Sequence, residues 1–147
     1  MIEGLKDKVA IVTGGGHGIG RAYCLGFGGA GAKVVVADID EPAAMKVAKE
    51  VNTQTDTKSL SVKVDVANEA STQMMVKTIL DQFGRIDILV NNAAIFATIP
   101  MNRGGIESID PTEWDRMMAV NLKGLFFCCR AVFASVQEDQ HRTLAGF

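Results

Sequence analysis

Between Val9 and Tyr23 the chain reads VAIVTGGGHGIGRAY, with five glycines among the seven residues from Gly14 to Gly20. Glycine inside a helix costs about 1 kcal/mol relative to alanine, so such a cluster needs a physical use. A glycine turn between a strand and a helix bends tightly and lets backbone approach a ligand closely. The following helix aims its free N–H groups and its positive dipole end at the same spot, where a phosphate binds well. Gly14, Gly18 and Gly20, spaced G-x-x-x-G-x-G, are therefore candidate pyrophosphate contacts. A turn that binds nothing would explain the glycines alone; the apolar run before them and the helical pattern after them favour binding. Two other phosphate loops do not fit. A P-loop ends in Gly-Lys-Ser/Thr, whereas Arg21 and Ala22 follow Gly20. A G-x-G-x-x-G turn counted from Gly14 needs glycine where Ile19 stands.

Asp38 lies 18 residues beyond Gly20, at the end of the next apolar run. Dinucleotide sites place an acid about 20 residues on, where it accepts hydrogen bonds from the adenosine ribose hydroxyls. A carboxylate there repels a 2′-phosphate and Ile39 supplies no compensating cation, which favours NAD over NADP. The competing use of Asp38 is as a helix cap, but Asp40 already fills that role. His17 sits inside the turn with no second His or Cys beside it, so a metal role is set aside. It either contacts a phosphate or faces solvent.

The elements that must position these residues alternate. KVAIVTG (Lys8 to Gly14) reads as a buried strand, and Ile19, Tyr23, Phe27 and Ala30 form a helical stripe behind it. A second strand runs to Asp38. Asp40, Glu41 and Pro42 open a helix with Ala44, Val47, Ala48 and Val51 on its apolar face. Ser59 to Val66 predicts a third strand. A helix capped by Asn68 and stopped by Gly84 follows, then RIDILVNNAA as a fourth strand. After a polar loop from Phe96 to Ile109, Asp110, Pro111 and Glu113 start a helix expected to reach Ala134. Alternating strands and helices predict an α/β fold, a Rossmann-like doubly wound parallel sheet. GFGGAGA places Gly26, Gly28 and Gly29 in the first helix; Gly26 is expected to permit close packing, and the other two have no evident function.

Composition narrows the class. The 147 residues are 48% apolar and 22% charged, as in a globular domain, and the net charge of -2 offers no footprint for nucleic acid. Three cysteines, two of them adjacent, make a poor disulfide framework, so a reducing, cytoplasmic location is expected. Asn91, Asn92, Lys123 and Arg130 interrupt the longest apolar stretches, and no membrane span is expected.

TGGGHGIG, Asp38, Asp65-Val66, NNAA at Asn91 to Ala94, and Asn121 within MMAVNLKG occur in order. Together they resemble the cofactor-binding half of a short-chain dehydrogenase/reductase, over residues 5 to about 134. The resemblance implies hydride transfer between a nicotinamide cofactor and a secondary alcohol or ketone. It implies that Thr13 ties the first turn to the fourth strand, and that Ile19 joins Gly14, Gly18 and Gly20 along the pyrophosphate. Asp65 and Val66 would contact adenine. Asn91 and Ala93 would support the ligand edge of the sheet and the nicotinamide-side ribose. Asn121 matches the family's catalytic asparagine, which holds a proton-relay water; read without the family, it is a helix asparagine satisfying local backbone.

The family also uses a serine and a Tyr-x-x-x-Lys pair. This sequence holds one tyrosine, Tyr23, with Phe27 four residues on, and no Tyr-x-x-x-Lys. His141 is the other plausible proton carrier. The expectation is a truncated Rossmann domain over residues 1–134, with residues 135–147 a tail unlike the family. The chain would then be an NAD-binding fragment without catalysis of its own. A sheet order of 3-2-1-4 would leave IDILV on an open edge and LFFCC of the last helix exposed. Either surface would serve self-association or pairing with full-length subunits.

Overall fold

The computed structural model describes residues 4–96 and 104–144, with the backbone alone for residues 136–144. Part of the Phe96 to Ile109 loop, residues 97–103, lies outside the described residues. The order of elements is β1 (Val9–Thr13), α1 (Gly18–Gly29), β2 (Lys33–Asp38), α2 (Glu41–Gln54), β3 (Ser59–Lys63), α3 (Glu69–Phe83) and β4 (Ile88–Val90). A short 3-10 turn, Ile106–Ser108, leads into α4 (Pro111–Met118), a π-helical segment (Ala119–Gly124) and α5 (Leu125–Leu144).

The four strands form one parallel sheet in the order β3-β2-β1-β4, as the alternation of elements predicts. β1 and β2 are nearly continuous β-branched runs because both faces of a central parallel strand are covered. Successive side chains point to opposite faces. Val9, Ile11 and Val35 face Met75 and Ile79 of α3 and Cys128 of α5. Val12, Val34 and Val36 face Cys24 of α1 and Ala44, Val47 and Val51 of α2.

Asp87 secures the N-terminal edge of this sheet. Its carboxylate accepts from the Val9 N–H at 2.9 Å, from Lys8 Nζ at 3.3 Å and from the Arg85 guanidinium. Burial pushes this carboxyl up, but the bonds from Arg85, Val9 and Lys8 outweigh it and hold the pKa down at about 2.

The boundaries differ from expectation in four places. The β3 ladder ends at Lys63, although Val64 and Val66 remain in the core. The chain turns there because the Asp65 carboxylate accepts from the Ala67 N–H at 2.9 Å. Within α1 the close approach is at Gly28, not Gly26. A Cβ at Gly28 would lie 2.8 Å from Val51 Cγ1 of α2, whereas Gly26 and Gly29 face open space. The last helix does not stop near Ala134 but runs to Leu144, through most of the expected tail. No glycine or proline interrupts Leu125 to Leu144, and Gln, Glu and Arg are good helix formers. His141 therefore lies on a helix and not in an irregular tail.

The fourth difference concerns apolar length. By length and composition alone, Pro111–Ser135 could cross a membrane, with a mean hydropathy of 1.5. In the fold this helix packs on the domain. Phe127 and Cys128 are buried, Gly124 meets Val66, and Arg130 pairs with Glu69 of α3.

Candidate functional site

In a parallel sheet the ligand crevice lies beyond the C-terminal ends of the strands, where the chain leaves in opposite directions. Here β1 and β4 are neighbours although far apart in sequence, so the crevice opens at the ends of β1, β2 and β4.

The glycine turn occupies the end of β1. Gly14 and Gly18 have φ of 65° and 47°, a region that side chains disfavour. A Cβ at Gly20 would lie 1.9 Å from the Gly14 carbonyl oxygen, so no larger residue fits there. Gly15 and Gly16 are confined less severely, with nearest contacts of 3.0 and 2.9 Å, the first against Cys24 and Val36 and the second against Asp38 and Ala43. The spacing of Gly14, Gly18 and Gly20 left these two positions unremarked.

α1 begins at Gly18 with His17 as its N-cap residue, and the His17 side chain makes no cap. Instead its Nε2 lies 3.0 Å from Asp40 Oδ2. No acidic residue stands in the first turn of α1. By contrast Asp40, Asn68 and Asp110 each accept a first-turn backbone N–H at the starts of α2, α3 and α4. The start of α1 thus keeps free N–H groups and an unopposed dipole end, the chemistry of an anion site. Ile19 is exposed on this turn.

Asp38, at the end of β2, is 8% exposed. Its Oδ2 accepts from the Gly16 N–H at 2.8 Å and its Oδ1 from the Asp40 N–H at 3.0 Å. Each oxygen has further lone-pair capacity for a hydroxyl donor. Backbone bonding from Ala43, then the contact with His17, lowers the Asp40 pKa, so Asp40 is ionised at neutral pH. Beneath the turn, burial pushes the Cys24 thiol up to about 12. Burial and the neighbouring Cys129 push Cys128 to about 11, so neither thiol is a nucleophile at neutral pH.

Thr13 links the turn to β4. Its hydroxyl donates to the Val90 carbonyl at 3.3 Å and accepts from the Asn92 and Ala93 N–H groups at 3.1 Å. Asn92 completes the link, because its Nδ2 donates to the Thr13 and Gly14 carbonyls at 3.1 Å. The sequence reading named Asn91 and Ala93 and missed Asn92. The doubled asparagine was the available signal, but the residue whose side chain reaches the turn is a matter of strand-end geometry. Asn91 Nδ2 donates instead to Cys129 Sγ at 3.4 Å.

Asn121 sits in the π-helical segment, and its side chain brackets Ile95. Its Oδ1 accepts from the Ile95 N–H at 2.7 Å, and its Nδ2 donates to the Ile95 carbonyl at 3.1 Å. The amide is thereby committed to the loop after β4. A π segment, common at functional sites, opens the regular helical ladder at this point. Gly124, a second residue the sequence reading missed, lets the helix approach the turn after β3: a Cβ there would lie 2.8 Å from Val66 Cγ2. Thr13, Val66, Asn91 to Ala94, Asn121 and Gly124 surround a cavity of about 130 Å³. Val66 reaches this cavity from the turn after β3, whereas Asp65 is engaged with Ser71 and Ala67 in that turn. Tyr23 lies on α1, half-exposed. Among the described residues no cluster of His, Cys, Asp or Glu has the makings of a metal site.

Comparison with known proteins agrees with this geometry. The family model for short chain dehydrogenases matches residues 8–143, which carries the match past Ala134. The chain is 40% identical over 126 residues to a short chain dehydrogenase/reductase, astE, of Aspergillus oryzae, covering 86% of this chain and 47% of that protein. It is similar in structure to a 3-ketoacyl-(acyl-carrier-protein) reductase from Brucella melitensis complexed with NADH. There the TM-score is 0.81 at 34% identity, over 95% of this chain and 54% of the other. A metagenomic short-chain oxidoreductase in complex with NADP aligns with a TM-score of 0.79 at 32% identity, over 88% of this chain and 57% of the other. The chain spans about half the length of the curated relatives it matches.

Proposed function

The chain belongs to the short-chain dehydrogenase/reductase family, and from that premise we propose that it binds NAD in preference to NADP, as the cofactor-binding part of an oxidoreductase acting on a secondary alcohol or ketone. The observation that carries the reading is the start of α1: a glycine turn that a Cβ would fill, opening on a helix end without a side-chain cap, beside the buried Asp38.

In this reading Gly14, Gly18, Ile19 and Gly20 line the pyrophosphate, and the free N–H groups of α1 neutralise its charge. Asp38 accepts from the adenosine ribose hydroxyls, and its charge disfavours a 2′-phosphate. Asp65 and Val66 flank the adenine, while Asn91 and Ala93 stand at the nicotinamide-side ribose. Asn121 holds the loop after β4 in place through Ile95 and so shapes the cavity beside Thr13. Bound nicotinamide supplies or accepts the hydride.

A second reading concerns turnover. The one tyrosine is Tyr23, on the first helix and not followed by a lysine at the required spacing. This supports binding without catalysis by these 147 residues alone. The exposed Leu125, Phe126 and Phe133 of α5, with the open edge of β4, support association with a second copy or a longer relative, which sedimentation mass would reveal.

Fluorescence titration with NADH and NADPH tests the first reading. Saturable binding with tighter NADH is expected; equal affinities would remove the role given to Asp38. Absorbance at the NADH band, followed with a panel of ketones, tests the second. Steady oxidation by the purified chain would refute it.

A further inference from the structure

Glycine is a poor helix former, yet Gly124 closes the π segment where it passes into α5. Its backbone is not among the positive-φ glycines, so conformation does not require glycine there. Space does. A Cβ at position 124 would lie 2.8 Å from Val66 Cγ2, 3.1 Å from Val66 Cβ and 3.2 Å from the Val66 carbonyl oxygen. Two of these three atoms are backbone or adjoin it, and the third belongs to a β-branched side chain, stiff at χ1. The turn is also held from its other side, where the Asp65 N–H donates to Ser71 Oγ of α3 at 3.0 Å. Three residues before Gly124, Asn121 fastens the same segment to Ile95. The π segment is thus seated on the turn after β3 by close contact and tied to the loop after β4 by hydrogen bonds. Val66, Asn121 and Gly124 all border the cavity between them.

We infer that Gly124 is a positioning residue for the dinucleotide: with hydrogen alone at this position the π segment seats on Val66, and that seat fixes the turn beside which the adenine lies. The inference rests on the reading of this crevice as the NAD site with Val66 at the adenine. A methyl group at 124 wedges the helix and the turn apart, and the adenine loses a wall held in place. α1 supplies a matched case of packing alone. Gly28, in the last turn of α1, would carry a Cβ 2.8 Å from Val51 Cγ1 of α2, at the end of α1 far from the glycine turn. Both glycines make the same demand on a neighbouring valine. Val66 borders the crevice, and Val51 lies in the core between α1, α2 and the sheet.

The test uses the full chain, with NADH followed by its fluorescence and ADP-ribose by its displacement of NADH. Gly124→Ala should weaken NADH about tenfold, in keeping with the cost of one excess methyl group. ADP-ribose keeps the adenine and lacks the nicotinamide, so its affinity should fall by the same factor. Gly28→Ala should lower the melting temperature and leave NADH affinity within about twofold of the parent chain, because its clash is remote from the crevice. Val66→Ala removes the closest of the three contacts. The double variant Gly124→Ala/Val66→Ala should therefore bind NADH within about threefold of Val66→Ala alone, since contacting residues do not act additively. Where Gly124→Ala alone does not fold, this comparison decides, and a full tenfold loss in the Val66→Ala background overturns the inference. An equal NADH loss in Gly28→Ala overturns it as well. So does an NADH loss that spares ADP-ribose, because the effect then travels through Asn121 and not through Val66. A parent chain that does not bind NADH sinks the reading of the crevice and the inference with it. A parent chain that binds NADH beside an unaltered Gly124→Ala sinks the inference alone.

Discussion

The starts of α1 and α2 lie side by side at one edge of the sheet, yet they are built in opposite ways. α2 opens with Asp40 accepting from the Ala43 N–H, Glu41 in the first turn and Pro42 where a missing N–H is harmless. α1 opens with five glycines in seven residues, no side-chain cap and no acid in its first turn. One start satisfies its own orphan donors; the other leaves them for something outside the chain. A fold concentrating on stability would build both like α2. The difference marks where capping gives way to bare backbone, and it is visible because the two turns share residues: Asp40 caps α2 and also meets His17 of the glycine turn.

The largest expected effect is at Gly20. Gly20→Ala places a methyl group on the Gly14 carbonyl oxygen, so the turn must open. NADH binding should drop by about a hundredfold, and stability should fall by about 3 kcal/mol, within the usual range for overpacking. Denaturant melts beside the NADH titration measure both, and retained affinity would break the case for this turn as the phosphate site.

The opposite edge of the sheet offers a control devoted to stability. Asp87 is held at about 2, below its ordinary 3.8, so it stabilises the fold at neutral pH. That contribution is complete above about pH 4 and is lost as the pH falls toward 2, because the unfolded chain takes up the proton first. Asp87→Asn should cost about 2 kcal/mol at pH 7, converge with the parent chain near pH 2, and leave NADH affinity unchanged. Urea unfolding at several pH values measures it.

A smaller pair addresses the comparison of helix starts directly. His17→Ser offers α1 the hydroxyl cap it lacks. It should add about 0.5–1 kcal/mol to the unliganded chain while weakening NADH a few-fold. Asn68→Ala removes the cap of α3 and should cost about 1 kcal/mol with no change in NADH affinity. If capping α1 stabilises the chain without weakening the cofactor, its open start is not the phosphate site. Smallest of all, Gly26→Ala and Gly29→Ala should each stabilise by up to about 1 kcal/mol. Thermal melts should show Gly28→Ala moving the other way, against Val51.

Periodicity and turn chemistry carried much of this architecture. The apolar runs, the Asp40, Asn68 and Asp110 caps and the strand-helix alternation are local signals, and they lead to the observed sheet order. Gly14, Gly20 and Asp38 were legible for the same reason: their types and spacing are local demands of a tight turn and a strand end. Where the reading went astray, the deciding contact was distant. Gly28 and Gly124 are glycines because of Val51 and Val66, residues on other elements. The last helix continues through a polar segment that no apolar pattern announced, since a helix extends wherever nothing breaks it.

The sequence by itself determined the class of fold, the glycine turn and the acid at the second strand, because each depends on neighbours in the chain. Only the tertiary structure decided that Asn92 and not Asn91 reaches the glycine turn, that the Asn121 amide is committed to Ile95, and that the Gly16 N–H donates to Asp38. Those are contacts between segments 22 to 79 positions apart. Their partners are chosen by how strand ends meet across the sheet, and no local spacing encodes that.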